Sequence, residues 1–382
     1  MIPYARQSIN EADIDAVVEV LRSDFITQGA TVPCFEEAVA QCCGAQHAVA
    51  VNSATSALHL ACAALGVGPG DVVWTSPISF VASANCARYC GAEIDFVDID
   101  PRTWCLSAEA LEIKLEETLV AGRRLPKVVI PVHFGGQSCD MAKIAVLAAN
   151  YGFRVIEDAS HALGGKYKNE PVGSCAFSDV AVFSFHPVKI VTTGEGGVAV
   201  SNDPCLIARM ARLRSHGITR NVSEMTREAD GPWYYEQLEL GFNYRMTDFA
   251  GALGLSQLRR LDAFVARRNE LARQYEEALG DLPVEQQIVP GDVLSARHLY
   301  VIRVPTDLRL GIFTALRADG IGVNVHYIPI HLQPYYRRQG FAVGQFPMAE
   351  AHYHKAISLP LFAGMSGREQ EAVVKAVRKM AC

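Results

Sequence analysis

The chain predicts an α/β protein: a large domain (1–248) on a mainly parallel seven-stranded sheet, with an N-terminal arm, then a smaller α/β C-terminal domain (249–382). Three observations carry this. Seven short β-branched runs recur up to Ser201. Most are continuously apolar rather than alternating, which is how strands buried on both faces read. Helix-like stretches lie between several of them, and strand–helix alternation builds a parallel sheet covered on both sides.

In chain order the runs are His47–Val51, Val72–Thr75, Ile94–Val97, Lys127–Val132, Arg154–Glu157, Asp179–Phe185 and Val198–Ser201. Helices are expected over Ser53–Leu65, Ser79–Cys90, Ala108–Leu119 and Met141–Tyr151. Arg220–Tyr235 is polar, aromatic and without period, so it reads as a long loop, and such loops are often functional. Phe249–Leu279 is rich in Ala, Leu, Arg and Glu and reads as one long helical region. Ser295–Val304 and Gly322–Tyr327 read as strands, Phe313–Asp319 and Glu369–Met380 as helices. There is no internal repeat.

Composition narrows the function. The 382 residues are 50% hydrophobic and 20% charged, ordinary for a globular protein, with a net charge of −6. No basic run stands out, which argues against nucleic acid. No apolar run approaches the roughly 20 residues of a membrane span, and Met1–Asn10 does not read as a signal peptide. The 11 cysteines are odd in number, form no Cys-x-x-Cys pair and mostly sit in apolar runs. That is the pattern of reduced thiols in a cytoplasmic protein. His326, His331, His352 and His354 fit no familiar zinc spacing, so no metal site is expected.

Ligands of parallel sheets bind beyond the carboxyl ends of the strands. Asp158, Ser184 and Lys189 all fall there. Lys189 follows a buried-looking strand and precedes Thr192-Thr193-Gly194-Glu195-Gly196-Gly197, where glycines let backbone approach a ligand. A partly desolvated lysine loses proton affinity and becomes a nucleophile. Taken alone, Ser184-x4-Lys189 also fits a Ser–Lys hydrolase. Asp158 closes a buried strand and needs a partner: an arginine, a helix N-terminus or a protonated pyridine ring. His161 lies three residues on, placed to touch that ring or to orient Asp158. Asn52-Ser53-Ala54-Thr55-Ser56-Ala57 follows a strand and opens a helix, a place for a phosphate, with Thr55, Ser56 and the distant Ser184 adding hydroxyls. Plain N-capping reads the same way. Phe80 is either a ring-stacking residue or core. A nicotinamide-dependent dehydrogenase would share the sheet but wants Gly-x-Gly-x-x-Gly where this chain has Asn-Ser-Ala-Thr-Ser.

Five segments occur in order: Asn52–Leu58, Glu157-Asp158-Ala159-Ser160-His161, Ser184-Phe185-His186-Pro187-Val188-Lys189, Thr193-Gly194-Glu195-Gly196-Gly197 and Gly241-Phe242-Asn243-Tyr244-Arg245-Met246. Together they resemble the nucleotide-sugar aminotransferases of the DegT/DnrJ/EryC1/StrS family, over nearly the whole chain. The resemblance implies the fold type I, aspartate aminotransferase-like architecture of PLP-dependent transferases, with pyridoxal 5′-phosphate (PLP) as cofactor. It implies that Lys189 holds the cofactor as a Schiff base and shuttles the proton, and that Asp158 pairs with the pyridine nitrogen. His161 would sit by the ring oxygen, where family members often have Gln. Thr55, Ser56 and Ser184 would bind the phosphate, and Phe80 would stack on the ring. Asn243 would reach the phosphate in a neighbouring subunit, implying a homodimer with shared active sites. Arg245 is a candidate for the carboxylate of the donor, L-glutamate.

Ser23–Gly29 and His326–Tyr336 resemble one subgroup more closely. That subgroup aminates C4 of a UDP-linked 4-keto-6-deoxy-N-acetylhexosamine on the way to pseudaminic acid, giving UDP-4-amino-4,6-dideoxy-N-acetyl-β-L-altrosamine. Thr27, Gln28, His326, Tyr327 and His331 are then candidates for the UDP-sugar pocket, although each histidine also reads as an ordinary structural hydrogen bonder. A dTDP- or GDP-linked sugar, or amination at C3, stays open. Sugar dehydratases of the family replace the lysine with His, which Lys189 argues against. A PLP-fold sensor would show a fused DNA-binding segment or a broken site.

Overall fold

The computed structural model describes residues 1–381, so Cys382 lies outside the described residues. Helices α1 (Glu11–Leu21) and α2 (Thr31–Cys43) precede the first strand. The sheet strands are β1 (His47–Val51), β2 (Val72–Thr75), β3 (Glu93–Phe96), β4 (Val128–Ile130) and β5 (Arg154–Asp158). After a small hairpin, β6 (Lys166–Tyr167) with β7 (Glu170–Pro171), come β8 (Val180–Ser184) and β9 (Gly197–Ser201). Their spatial order is β1-β9-β8-β5-β4-β2-β3. All pairings are parallel except those of β9, which opposes both β1 and β8. This is the mainly parallel seven-stranded sheet expected.

Alternation along each strand divides the side chains between two cores. Val49, Val51, Val180 and Val182 face a core shared with α3 (Ala54–Ala64), α4 (Ala82–Tyr89), α5 (Ala108–Val120), α6 (Met141–Tyr151) and α7 (Pro204–Arg214). Ala50, Ala181, Phe183, Val198 and Val200 face the other, with α2, α8 (Asp248–Leu258) and α9 (Leu261–Leu279). Burial on both faces explains why these strands read as continuous apolar runs.

Beyond α7, β10 (Ile218–Thr219) pairs with β11 (Glu236–Gln237) and brackets the long loop. A second antiparallel sheet, β12 (Glu285–Gln286), β14 (Tyr300–Arg303) and β15 (Ala356–Leu359), shares a third core with α9, α10 (Thr306–Ala318) and α13 (Gly367–Ala381). Between these lie β13 (Val293–Leu294), which pairs with β6, and the short helices α11 (Pro334–Arg337) and α12 (Pro347–Lys355).

Several elements depart from the sequence reading; the helix expected over 313–319 begins at Thr306. The expected helix 249–279 is two helices, broken where Arg260 turns to Asp13. Asp13 is fully buried and also accepts from Ser256 Oγ at 2.6 Å and Gln257 Nε2 at 2.7 Å, so a tertiary contact holds the break. The expected strand 295–304 shortens to β14, because Ala296 and Leu299 donate instead to the carbonyls of Gly136 and Gly135. Residues 322–327 form no strand; Asn324 makes an isolated bridge to Ser358 and the peptide His326–Tyr327 is cis. Helix α4 begins at Ala82 rather than Ser79, with the Ser79 hydroxyl turned to Ser83 Oγ at 2.6 Å. No described helix is long and apolar enough to cross a membrane.

Candidate active site

A cavity of about 620 Å³ opens at the carboxyl ends of β5 and β8, against the N-terminus of α3. Lys189 reaches it from the connection 185–196 between β8 and β9. That connection is tied to itself: Lys189 N donates to His186 O at 2.9 Å, and Thr193 N and Thr192 Oγ1 donate to Phe185 O at 2.9 and 3.0 Å. Burial drives the Lys189 amine down to about 8, with nearby Asp158 offsetting part of the fall. An amine titrating there keeps a small but usable unprotonated fraction at neutral pH and is mostly unprotonated above pH 8, as a nucleophile and proton shuttle requires.

Gly197, the last of the glycines after Lys189, makes a close packing contact within the chain. A Cβ on Gly197 would lie 2.4 Å from the backbone of Ser53 and Ala54. The start of β9 is thus pressed against the start of α3, holding that helix end beside the lysine loop.

Asp158 closes β5 and is buried. Ser83 Oγ donates to its Oδ2 at 2.5 Å and Ser160 N to its Oδ1 at 3.2 Å. Its strand neighbour Glu157 points the other way, to His133 Nε2 at 2.7 Å and Ser178 Oγ at 2.5 Å, and anchors the strand. His161 accepts from Gly135 N through Nδ1 at 3.3 Å. Its proton therefore sits on Nε2, 3.2 Å from the Tyr327 hydroxyl. Burial and the adjacent Lys189 hold His161 neutral, well below the usual histidine range. His326 is also neutral, pushed to about 3 chiefly by burial, and its Nδ1 lies 2.7 Å from Ser358 Oγ.

Of the remaining predicted residues, Thr55, Phe80 and Ser184 line the cavity. Phe80 is 60% exposed, so it is no core residue. Ser56 does not line it: its hydroxyl donates to Asn52 Oδ1 at 2.7 Å, and Ser53, the cap of α3, faces the cavity instead. His331 also lies off the cavity, fully buried, with Nε2 3.0 Å from Glu350 Oε1 and its ring against Phe346. Thr27, Gln28, Asn243 and Arg245 stand outside this chain's cavity lining. Thr27 bridges Thr247, Arg245 bridges Val51 and Asn243 bridges Ser215. Gln28 and Asn243 are exposed.

Sequence reading missed Ser53, Ser79, Asn324 and Tyr4, which all line the cavity. Tyr4 arrives because Ile2 pairs with Ile321 and brings Tyr4 against His326, the rings tilted with centroids 5.5 Å apart. No local pattern marks it. Ser79 and Ser83 do carry a signal, the i, i+4 spacing of two hydroxyls.

A poised amine, a buried carboxylate, hydroxyls at a helix N-terminus and an exposed aromatic ring thus surround one cavity. This donor set fits a phosphorylated pyridine aldehyde: carbonyl to amine, ring nitrogen to carboxylate, phosphate to helix end. The family model for DegT/DnrJ/EryC1/StrS aminotransferases matches residues 7–378. The chain belongs to the DegT/DnrJ/EryC1/StrS aminotransferase family.

Relatives of this family span the full length. The spore coat polysaccharide biosynthesis protein SpsC of Bacillus subtilis is 40% identical, over 99% of this chain and 96% of its own. The UDP-4-amino-4,6-dideoxy-N-acetyl-beta-L-altrosamine transaminase of Campylobacter jejuni is 38% identical, over 98% and 96%. The sugar aminotransferase fold of Spr1654 from Streptococcus pneumoniae, in its PMP-form, superimposes with a TM-score of 0.91 at 30% identity, covering 100% of this chain and 99% of that one. The same protein has a PLP-form. The chain is a sugar aminotransferase that acts on a sugar nucleotide, with pyridoxal phosphate as cofactor and the α/β fold of PLP-dependent aminotransferases.

Proposed function

We propose that the protein moves the amino group of L-glutamate to the C4 ketone of a UDP-linked 4-keto-6-deoxy-N-acetylhexosamine. The product is UDP-4-amino-4,6-dideoxy-N-acetyl-β-L-altrosamine, and the working unit is a cytoplasmic homodimer with shared active sites. The observation that carries the chemistry is the Lys189 amine, held at about 8 beside Asp158 in the cavity. Support for the substrate comes from the 38% identity to the Campylobacter transaminase. SpsC, at 40%, favours a second reading, another nucleotide-linked keto-sugar of a polysaccharide pathway.

When bound, the cofactor supplies an electron sink for charge developing on carbon next to nitrogen. Lys189 holds it covalently between turnovers. The freed Lys189 amine takes the proton from Cα of glutamate and later delivers one to C4 of the sugar. A pKa near 8 lets one group do both. Asp158 holds the proton on the ring nitrogen. Ser184, Thr55 and the amides at the start of α3 would take the phosphate, and Phe80 would stack on the ring. His161, neutral and held by Gly135 and Tyr327, would sit by the ring oxygen. His326 and Tyr327 meet the sugar nucleotide. Exposed Asn243 reaches the partner's phosphate site, with Arg245 toward the donor carboxylate and Thr27 and Gln28 toward the partner's sugar. The exposed Trp233 and Leu240, 71% and 82% accessible, support burial of that surface against a second copy.

The test is the visible spectrum of PLP-loaded protein, followed by product mass. Loss of the cofactor band on adding L-glutamate, then formation of the amino sugar from the UDP-4-keto sugar, is the expected result. A band indifferent to glutamate excludes that donor. Amination of a dTDP-linked sugar in preference to the UDP sugar overturns the substrate.

A further inference from the structure

We propose that Ser79 and Ser83 form a hydroxyl relay that positions Asp158, so that two serines of the α4 entry orient the carboxylate facing the cofactor ring. The inference rests on the assignment of Asp158 to the ring nitrogen.

The geometry fixes the direction of every proton. Ser83 Oγ lies 2.5 Å from Asp158 Oδ2, 2.6 Å from Ser79 Oγ and 3.3 Å from Phe80 O. It owns one hydrogen. An ionised carboxylate only accepts, and it is both the nearest and the most strongly attracting acceptor, so that hydrogen goes to Asp158. Ser79 must then donate to Ser83. Both hydroxyl dipoles point toward the carboxylate, and each bond strengthens the next. Ser83 is 1% exposed and stands behind the cavity lining, so water does not compete for its proton.

The relay engages one carboxylate oxygen and leaves the other differently disposed. Oδ2 is held by Ser83, while Oδ1 takes only the longer bond from Ser160 N, at 3.2 Å. Ser79 itself lines the cavity, and its donated proton points away from it, so its lone pairs are what the cavity meets. The relay also accounts for the late start of α4: the Ser79 hydroxyl is committed to Ser83 and caps no amide of the helix.

The test measures PLP affinity by fluorescence titration and the visible circular dichroism of the bound cofactor, which reports ring orientation. Thermal unfolding of the cofactor-free protein controls for folding. Ser83→Ala should weaken PLP binding about tenfold or more, the worth of a hydrogen bond to a charged group. It should change the dichroic amplitude per bound cofactor, with an unfolding midpoint near that of the parent. Ser83→Thr, which keeps the hydroxyl, should restore both, and Ser79→Ala should shift both in the same direction by less. Parental affinity and dichroism in Ser83→Ala, alongside loss of binding in Asp158→Asn, would overturn the relay and spare the role of Asp158. Parental binding in Asp158→Asn would overturn that role and the relay with it. Should Ser83→Ala not fold, Ser79→Ala decides: unchanged affinity and dichroism reject the relay.

Discussion

Residues 158–197 and 326–336 are both dense in groups that can do chemistry, and the fold uses them differently. In the first, Asp158, His161, Ser184 and Lys189 all line the cavity. In the second, His326 and Tyr327 line it while His331 turns away to Glu350, and Tyr335 and Tyr336 line a separate groove. The first stretch hangs from adjacent strands β5 and β8, whose register places successive side chains at known heights and faces. The second is irregular backbone followed by one short turn and a four-residue helix, so spacing in sequence carries little information about direction. Position at a strand end is therefore a stronger guide to the site than residue type.

This contrast can be broken. Lys189→Ala should lower amino transfer by about 10³-fold or more and let the cofactor wash out on dialysis. A loss under tenfold would mean that another base serves the strand-end site. Next in size, Gly197→Ala should destabilise the protein by about 2–3 kcal/mol through overpacking against Ser53 and Ala54, read by urea unfolding. His331→Ala should cost about 2 kcal/mol of stability, because Glu350 loses a buried partner, yet leave kcat within about twofold. A large fall in kcat with parental stability would return His331 to the site. Cofactor capture by the cofactor-free protein should depend on pH. A protonated amine cannot attack, so the rate should fall about tenfold per pH unit below the Lys189 value of about 8 and level off above it. Tyr327→Phe should have the smallest effect, about fivefold in kcat/KM, as His161 loses one hydrogen-bond partner.

The same contrast explains what could be read in advance. The seven strands were legible because burial on both faces leaves an unbroken apolar run. The amine of Lys189, the carboxylate of Asp158 and the hydroxyls of Thr55 and Ser184 could be placed at the cavity in advance because they follow those runs directly. The break between α8 and α9 was not, since no Gly or Pro marks it and its cause, the buried Asp13, lies far away in sequence. Tyr4 was invisible for the same reason. Ser56 and Ser53 were confused because both sit in one capping turn, and only the helix phase decides which hydroxyl faces the cavity.

The antiparallel strand β9 carries a final consequence. A parallel neighbour would have required a long crossover after Lys189. Instead the chain doubles back, and the connection 185–196 is fastened at both ends to adjacent strands, with Phe185 bonded to Gly196 across its base. The lysine stands on a closed hairpin with little freedom left to lose. A backbone fastened in this way needs little further ordering when the lysine takes up its cofactor.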